Sequence, residues 1–198
     1  MEPGRPAPPV EAGIGGGRKR RAISVVAGKL ETSGVDFSAA YTLPDTGIGD
    51  FRFGLDATYT DKYDSTVIGG TPVVEVAGTY DRQYGNIADW RATGNVGWAY
   101  SDFTALVSVR WIDSLKLTDP DGQPGIQPDL NIASQIYWDM TLGYTLPSTG
   151  TKFQLGVNNL NDNQPPILYQ NNVINANTDV ETYDTIGRYF FGSITQKF

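Results

Sequence analysis

The side chains that most often carry enzyme chemistry are missing from this sequence of 198 residues, which contains no His and no Cys. Histidine is the commonest general base and metal ligand near neutral pH, and cysteine supplies thiolate nucleophiles, disulfides and zinc ligands. Without either residue, no nucleophile stands beside a base in a recognisable spacing. We therefore predict no catalytic residue, no cofactor and no enzymatic activity.

The segment DPDGQPGIQPDL, residues 119–130, is the best candidate for a metal site. Asp119 and Asp121 have the spacing that opens a calcium-binding loop, but the twelfth position holds Leu130, where such a loop needs a bidentate Glu. Asp, Pro and Gly are also the residues that form ordinary tight turns. The segment therefore favours a turn over a metal site, and we predict no bound metal.

A third candidate set consists of charged residues on the polar side of alternating segments, namely Arg52, Asp56, Arg91, Arg110 and Asp139. Hydrolysis by paired carboxylates would need a cleft, and the acidic residues are scattered. Two interpretations stay open: a solvated interior surface of mixed charge, which is the one we favour, and direct contact with a ligand. The elements that carry these residues decide where they point.

Apolar and polar residues alternate from residue 34 to the end of the sequence, which predicts a succession of β-strands. The high content of Gly, Tyr and Trp, with modest aliphatic content, also favours strands and turns over helices. The predicted strands are residues 34–44, 51–60, 90–100, 103–111, 136–146, 152–160 and 183–198. The fold class is therefore all-β, with about seven antiparallel strands.

The connections between these strands alternate in length. PDTGIGD, SD and PSTGT are short turns, whereas residues of about 60–88, 112–135 and 161–182 form long loops. Outer-membrane β-barrels have this asymmetry, with short periplasmic turns and long extracellular loops. We predict antiparallel transmembrane β-barrel strands. Seven strands alone would form an open sheet, whose two edges carry unpaired backbone groups that are costly in hydrocarbon. We therefore expect these strands to form only part of a barrel and not a closed channel of their own.

Most of the aromatic residues on the apolar side of the predicted strands fall near the strand ends. Tyr41, Trp98, Tyr100 and Tyr144 lie next to short turns, and Tyr59, Trp90, Trp111 and Trp138 lie next to long loops. Two aromatic girdles around an aliphatic band are typical of a protein that crosses a bilayer. The alternative is a soluble β-sandwich with an aromatic core, in which the large rings would sit in mid-strand.

Charge and the first residues set further bounds. Residues 34–198 carry nine Lys and Arg against nineteen Asp and Glu, a net charge of −10, which argues against nucleic acid as a partner. No stretch approaches 18 apolar residues, so we expect no transmembrane helix. Residues 1–21 are rich in Pro and Gly, then basic, and lack the apolar core of a secretory signal. We predict that residues 1–21 are disordered, leave open whether they are native to the domain, and place the domain at residues 22–198.

The last residues resemble the C-terminus of TonB-dependent outer-membrane receptors. The segment GRYFFGSITQKF matches their final strand at Gly187, Arg188, Phe190, Ile194, Lys197 and Phe198, and departs at Gln196, where an aromatic is commoner. Earlier segments are similar at Gly28, Lys29, Gly34, Val35 and Asp36, and at Asn159, Leu160, Asp162 and Pro166, with Asn161 where Phe is commoner. The resemblance covers about residues 22–198.

This resemblance implies a receptor of the outer membrane that imports a scarce ligand, such as a siderophore, cobalamin or an oligosaccharide, with energy relayed by TonB. It implies contact with outer-membrane lipid and with a plug domain inside the barrel, against which the charged residues would lie. In that family the barrel-assembly machinery reads the last strand, so Phe190, Ile194, Lys197 and Phe198 would form the assembly signal.

Such receptors have about 22 strands, so the resemblance implies that this chain is the C-terminal part of one. Two alternatives remain. One is a small autonomous outer-membrane β-barrel or surface protein without active transport, and the other is a soluble β-sandwich binding module.

An asparagine-rich stretch precedes the last predicted strand. Residues 158–177 hold eight Asn, a residue that suits tight turns and whose amide can also bind sugars or siderophores. Turn formation is the interpretation that we favour.

Overall fold

The computed structural model describes residues 28–66, 73–81, 84–117, 131–168 and 177–196. The strands in these ranges are β1 (Lys29–Leu43), β2 (Asp50–Thr66), β3 (Val74–Glu75), β4 (Thr79–Asp81), β5 (Gly85–Ile87), β6 (Trp90–Tyr100), β7 (Phe103–Ile112), β8 (Leu115–Leu117), β9 (Asn131–Ile132), β10 (Gln135–Leu146), β11 (Thr151–Asn158) and β12 (Tyr189–Thr195). Within the described ranges no helix is long and apolar enough to cross a membrane. The prediction of an all-β fold is confirmed.

Seven long strands form one antiparallel sheet in the order β1-β2-β6-β7-β10-β11-β12, and β3 adds a short pairing to the outer end of β2. Each long strand pairs with the next long strand along the chain, as the alternation of turns and loops predicts. Among the described residues β1 and β12 do not pair with each other. The sheet is therefore open, which agrees with the prediction of a partial barrel.

The boundaries of three strands differ by five residues or more from the sequence expectation. The first predicted strand begins at residue 34, whereas β1 begins at Lys29. The second predicted strand ends at residue 60, whereas β2 continues to Thr66, because its pairing with β1 goes on through charged residues in which no apolar alternation is visible. The last predicted strand begins at residue 183, whereas β12 begins at Tyr189, because residues 177–188 cross the sheet as a loop instead of extending it.

The long connections contain more regular structure than the sequence predicts. They contain a second sheet in the order β5-β4-β8-β9, in which β4 and β8 are parallel. These strands are only two or three residues long, too short for a period of two to be read from the sequence.

The buried core lies where the long connections meet the main sheet. Its members come from both sheets and from the loops: Tyr80, Ala88, Ile112, Leu115, Leu117, Ile132, Tyr137, Leu168 and Tyr183. Ile112 of β7 and Tyr137 of β10 contribute the main-sheet side and are 3% and 1% exposed. The long connections therefore fold against the main sheet at this end and bury a compact cluster there.

Candidate functional site

The register gives the main sheet one apolar face. Directly paired residues of antiparallel strands point to the same side. The apolar face consists of Val35, Phe37, Ala39, Tyr41 and Leu43 of β1, Phe51, Phe53, Leu55, Ala57 and Tyr59 of β2, Trp90, Ala92, Gly94, Val96, Trp98 and Tyr100 of β6, Phe103, Ala105, Val107, Val109 and Trp111 of β7, Ile136, Trp138, Met140, Leu142, Tyr144 and Leu146 of β10, Phe153, Leu155 and Val157 of β11, and Phe190, Gly192 and Ile194 of β12. Its side chains are largely uncovered, and Leu155, Phe190 and Ile194 are 70%, 70% and 72% exposed.

Aromatic residues occupy both ends of the apolar face. At the long-loop end Tyr59 packs on Trp90 with ring centroids 4.8 Å apart, and Trp111 and Trp138 follow on β7 and β10. At the short-turn end lie Tyr41, Trp98, Tyr100 and Tyr144, the last packed on Phe103 with centroids 4.9 Å apart. The eight predicted girdle residues thus lie in two bands on one face, and their contact with a bilayer stays a prediction.

Trp98 shows how the short-turn end is held. Its indole Nε1 donates a hydrogen bond of 2.8 Å to the carbonyl oxygen of Ile48 in the β1–β2 turn. Gly49 of that turn has φ of +117°, and a side chain there would also collide with Trp98 and Tyr100. The apolar ring therefore lies on the apolar face while its polar edge satisfies the turn, an arrangement typical of interfacial tryptophans.

A β-bulge marks the other end of the apolar face. The register of β1 and β2 shifts between Ser33 and Gly34, and a side chain at Gly34 would collide with the carbonyl oxygen of Tyr59. Beyond the bulge the same side of the hairpin becomes charged: Lys62 bonds Glu31 at 3.2 Å and Asp64 at 3.1 Å, and Lys29 also pairs with Glu31. The face changes from aromatic to ionic within one pair of residues.

The opposite face of the sheet, which we call the polar face, carries all five charged residues that the sequence singled out. On this face, two neighbouring rows of directly paired residues run across β1, β2, β6, β7 and β10. The first row consists of Asp36, Thr58, Arg91, Ile112 and Gln135, and the second consists of Ser38, Asp56, Thr93, Arg110 and Tyr137. Arg52 pairs with Gly97 nearer the short turns, and Asp139 pairs with Ser108.

The structure brings three of these five residues together. Asp56, Arg91 and Arg110 line a cleft of about 290 Å³ with Thr58, Thr93 and Ile112. Arg52 is outside this cleft. Asp139 is also outside, and its carboxylate accepts a hydrogen bond of 2.8 Å from the backbone N–H of Asn159. Arg52 and Asp139 therefore do not belong to the same site as the other three residues.

The cleft is completed by residues 177–188, which we call the strap. Glu181 and Thr182 of the strap contribute to the lining. Asp179 holds this turn because its side chain accepts from the backbone N–H of Glu181 at 3.2 Å and its carbonyl accepts from that of Tyr183 at 3.0 Å. Sequence reasoning missed Glu181 and Thr182, and the signal that was available is the Asp179 turn itself.

Arg91 is fixed by a neutral partner that links the second sheet to the strap. Its guanidinium donates to the carbonyl oxygen and to the side-chain oxygen of Asn86 at 2.6 Å and 2.9 Å. Asn86 in turn donates from Nδ2 to the hydroxyl of Tyr183 at 2.9 Å. Desolvation by burial raises the pKa of the Tyr183 phenol to about 12, so the hydroxyl stays protonated at neutral pH.

Arg110 is also held without a carboxylate. Its guanidinium carbon lies 4.9 Å from the centroid of the Tyr137 ring, which is a cation–π distance. Within the described part of the chain, neither Arg110 nor Arg91 forms an ion pair. Two positioned guanidinium groups therefore share one cleft while their charges are not neutralised by direct contact.

The asparagine-rich stretch forms an elbow after β11, which agrees with turn formation for the part that is described. Asn159 has φ of +50° and is 1% exposed. Its side chain accepts from the N–H of Asn163 at 2.8 Å and donates to the carbonyl of the same residue at 2.9 Å. Asn161 donates to the carbonyl of Ile136 at 2.9 Å and accepts from the N–H of Trp138 at 3.2 Å, so these amides hold the elbow to β10.

Part of the predicted assembly signal can be located. Phe190 pairs with Val157 and Ile194 pairs with Phe153, both on the apolar face of β12. Lys197 and Phe198 lie outside the described residues, and so do residues 1–21, Asp119 and Asp121. Among the residues that the structure does describe, no group of three or more acidic side chains is placed to hold a metal ion.

Comparison with known proteins gives one finding. Residues 6–160 match the protein family described as TonB dependent receptor-like, beta-barrel, which is more than half of the chain. No curated protein and no solved structure matched the sequence.

Proposed function

Because this chain belongs to the TonB-dependent receptor-like β-barrel family, we propose that its seven long strands form the C-terminal part of a receptor barrel that imports a scarce ligand. Proteins of this family are outer-membrane transporters and not enzymes. The observation that carries the proposal is the uninterrupted apolar face across seven strands, with a polar face behind it. Lipid would cover the first face, and a plug domain and ligand would meet the second.

The height of the apolar face supports a membrane setting. From Phe51 to Tyr59 the strand rises by eight residues, or roughly 27 Å along its length. A barrel tilt of about 40° reduces this to about 20 Å, close to the apolar band of about 25 Å in such barrels. The ion pairs that Lys62 forms with Glu31 and Asp64 begin just past the Tyr59 row, at the level where headgroups replace acyl chains.

The strand directions bear on how the barrel is completed. With seven neighbouring antiparallel strands, β1 and β12 run in the same direction, so joining them would create a parallel seam. Bacterial barrels of one chain have an even number of antiparallel strands. We therefore propose that an odd number of further strands completes the barrel, which favours a larger receptor over a small autonomous barrel.

The lipid contact can be tested because all four tryptophans, Trp90, Trp98, Trp111 and Trp138, belong to the apolar face. The full chain is inserted into vesicles whose acyl chains carry bromine, which quenches tryptophan only at short range. We expect strong quenching of the total tryptophan fluorescence. Bromine atoms near the headgroups should quench more of it than bromine atoms near the bilayer centre. Fluorescence unaffected by bromine, in a soluble compact particle, would leave the β-sandwich alternative in its place.

The role of the chain end needs a separate experiment. We propose that the barrel-assembly machinery reads the last residues of the chain, among them Phe190, Ile194, Lys197 and Phe198. Deleting Phe198 from a full-length receptor should reduce its amount in the outer membrane, measured by fractionation. Deleting Ile186, an exposed loop residue of the strap, is the control for a one-residue change near the end. Equal insertion of the Phe198 deletion and the intact receptor would refute this role.

Energy coupling through TonB is proposed from the family membership and is tested in the receptor. The coding sequence in frame before residue 22 should specify a plug domain and further strands. Uptake by the encoded receptor should stop when TonB is removed. Uptake that persists without TonB would favour a barrel without active transport.

A further inference from the structure

We propose that the cleft beneath the strap binds an oxyanion, such as a carboxylate or phosphate group, between the guanidinium groups of Arg91 and Arg110. This deepens the proposed function, since the anion would belong to the imported ligand. It rests on the proposed function only for that assignment of the anion. The binding itself is a property of the described residues and can be measured separately.

The first support is the way in which the two arginines are held. Arg91 is fixed by the oxygens of Asn86, and Arg110 lies over the ring of Tyr137. An amide and an aromatic ring orient a guanidinium group without cancelling its charge, whereas a carboxylate would do both. Arginine presents planar donors that match the two oxygens of a carboxylate or phosphate. The cleft therefore offers oriented donors that keep their positive charge.

The second support is the spacing of the two arginines. Arg91 pairs with Ile112, and Arg110 lies two residues before Ile112 on the same strand, so the two arginines are diagonal neighbours on the polar face. Residues in this relation are about 7–8 Å apart, with their Cβ atoms somewhat closer, and both side chains are long. Their guanidinium groups can therefore contact opposite sides of one bound anion.

The third support is the burial of the two tyrosines that hold Arg110 and the strap in place. Tyr137, beneath Arg110, is 1% exposed, and Tyr183 of the strap is 3% exposed. The hydrogen bond from Asn86 to the Tyr183 hydroxyl anchors the strap. The neighbouring strap residues Glu181 and Thr182 line the cleft together with the two arginines. The space of about 290 Å³ accommodates a small anionic group together with part of a larger ligand.

Two carboxylates in the lining define the rest of the ligand. Asp56 accepts a hydrogen bond of 2.7 Å from the hydroxyl of Ser38 and is separated from Arg110 by Thr93 in one row of the sheet. Glu181 approaches from the strap. A simple polyanion would meet repulsion from both, so the site favours an anion that also carries hydroxyl or amino donors.

The test is calorimetric titration of the full chain in detergent with inorganic phosphate and, separately, with malonate, at constant pH and ionic strength. Arg91→Gln and Arg110→Gln should each weaken binding about tenfold, the size of one lost charge-assisted hydrogen bond. Glu181→Gln should strengthen binding, because it removes a like charge from the cleft. Preference for phosphate or malonate then identifies which oxyanion the site takes.

Arg52→Gln is the matched control, since Arg52 is an arginine of the same face outside the cleft. It should leave both affinities within about twofold, a change too small to represent a lost contact. If Arg110→Gln does not fold, Arg110→Lys keeps the charge and should bind phosphate more weakly than the original chain but measurably. No binding of either anion to the original chain, or equal weakening by Arg52→Gln and Arg91→Gln, would overturn the proposal.

Failure of this site and failure of the proposed function give different results. If the original chain binds neither phosphate nor malonate but its tryptophans are quenched by brominated lipid, the anion site alone is rejected. Phosphate binding that is weakened by Arg91→Gln and not by Arg52→Gln, in a chain that brominated lipid does not quench, would reject the membrane barrel and keep the anion site.

Discussion

The ring of Phe191 on β12 lies over Gly156 of β11, its directly paired neighbour on the polar face. A Cβ built on Gly156 would overlap the ring of Phe191, with two of its carbons only 2.6 Å and 2.8 Å away. The absence of a side chain at Gly156 therefore lets an aromatic ring cover the backbone of the last strand pair, as in the aromatic rescue of strand glycines. The same ring stacks on Tyr189 with centroids 6.5 Å apart.

Gly156→Ala should destabilise the folded chain by about 1–3 kcal/mol, because the new methyl group displaces the Phe191 ring. Urea unfolding in detergent, followed by tryptophan fluorescence, measures the change. Gly54→Ala is the control, since a Cβ at Gly54 meets nothing closer than 3.8 Å. If both substitutions cost the same, the contact between Phe191 and Gly156 would not be what restricts the site.

Val107→Arg should destabilise the membrane-inserted sheet by about 2–4 kcal/mol, the cost of a cation at mid-bilayer on the lipid side of a barrel. Val107 pairs with Val96 and Met140 in the middle of the apolar face. Its neighbour Ser108 pairs with Asn95 and Asp139 on the polar face, so Ser108→Arg should cost much less. The two variants are compared by urea unfolding in vesicles, and equal penalties would mean that the assignment of the faces is wrong.

Asn159→Ala should destabilise the elbow after β11 by about 2–3 kcal/mol. The change leaves the backbone groups of Asn163 without their side-chain partner, and an unpaired buried polar group costs about 1–3 kcal/mol. It also places alanine at φ of +50°, where asparagine is better tolerated. Thermal unfolding measures the loss, with the exposed Asn158→Ala as the control. A loss no greater than that of Asn158→Ala would show that the Asn159 hydrogen bonds contribute little.

Alternation along the chain was enough to predict the seven long strands and the two faces. Phe37, Leu55 and Val107 are separated by long stretches of sequence, yet a period of two assigns each to the same side, and the register agrees. The signal is strong because one whole face is apolar, and a shift of register by one residue would turn every side chain over.

The cleft could not be predicted in the same way, because long-range contacts create it. Alternation places Tyr137 with Asp139 on a wet surface, yet Tyr137 is buried because it belongs to the cluster with Leu168 and Tyr183. Nothing local to Arg91 indicates that Asn86 will fix its guanidinium. The extended β1–β2 hairpin was missed for another reason, since its outer part alternates between Glu31, Thr32 and Ser33 with no apolar side to recognise.

Ionisation of Tyr183 should lower the free energy of unfolding at alkaline pH. The phenol has a pKa of about 12 in the folded chain because it is buried, against about 10 in the unfolded chain. Below pH 10 the phenol keeps its proton in both the folded and the unfolded chain, so its contribution to stability does not change with pH. Between pH 10 and 12 only the unfolded chain releases it, so stability falls as pH rises through this window, by about 2–3 kcal/mol in all.

The Tyr183→Phe variant isolates this contribution, because other tyrosines also ionise near pH 10. The variant loses the hydrogen bond that Asn86 donates to the hydroxyl, so at pH 7 it should be less stable by about 1 kcal/mol. Between pH 10 and 12 the difference should shrink and then reverse, since phenylalanine has no proton to release. Urea unfolding at pH 7, 10, 11 and 12 measures both effects. A constant difference across these pH values would show that the buried phenol titrates like an exposed one, and that the strap does not cover it in solution.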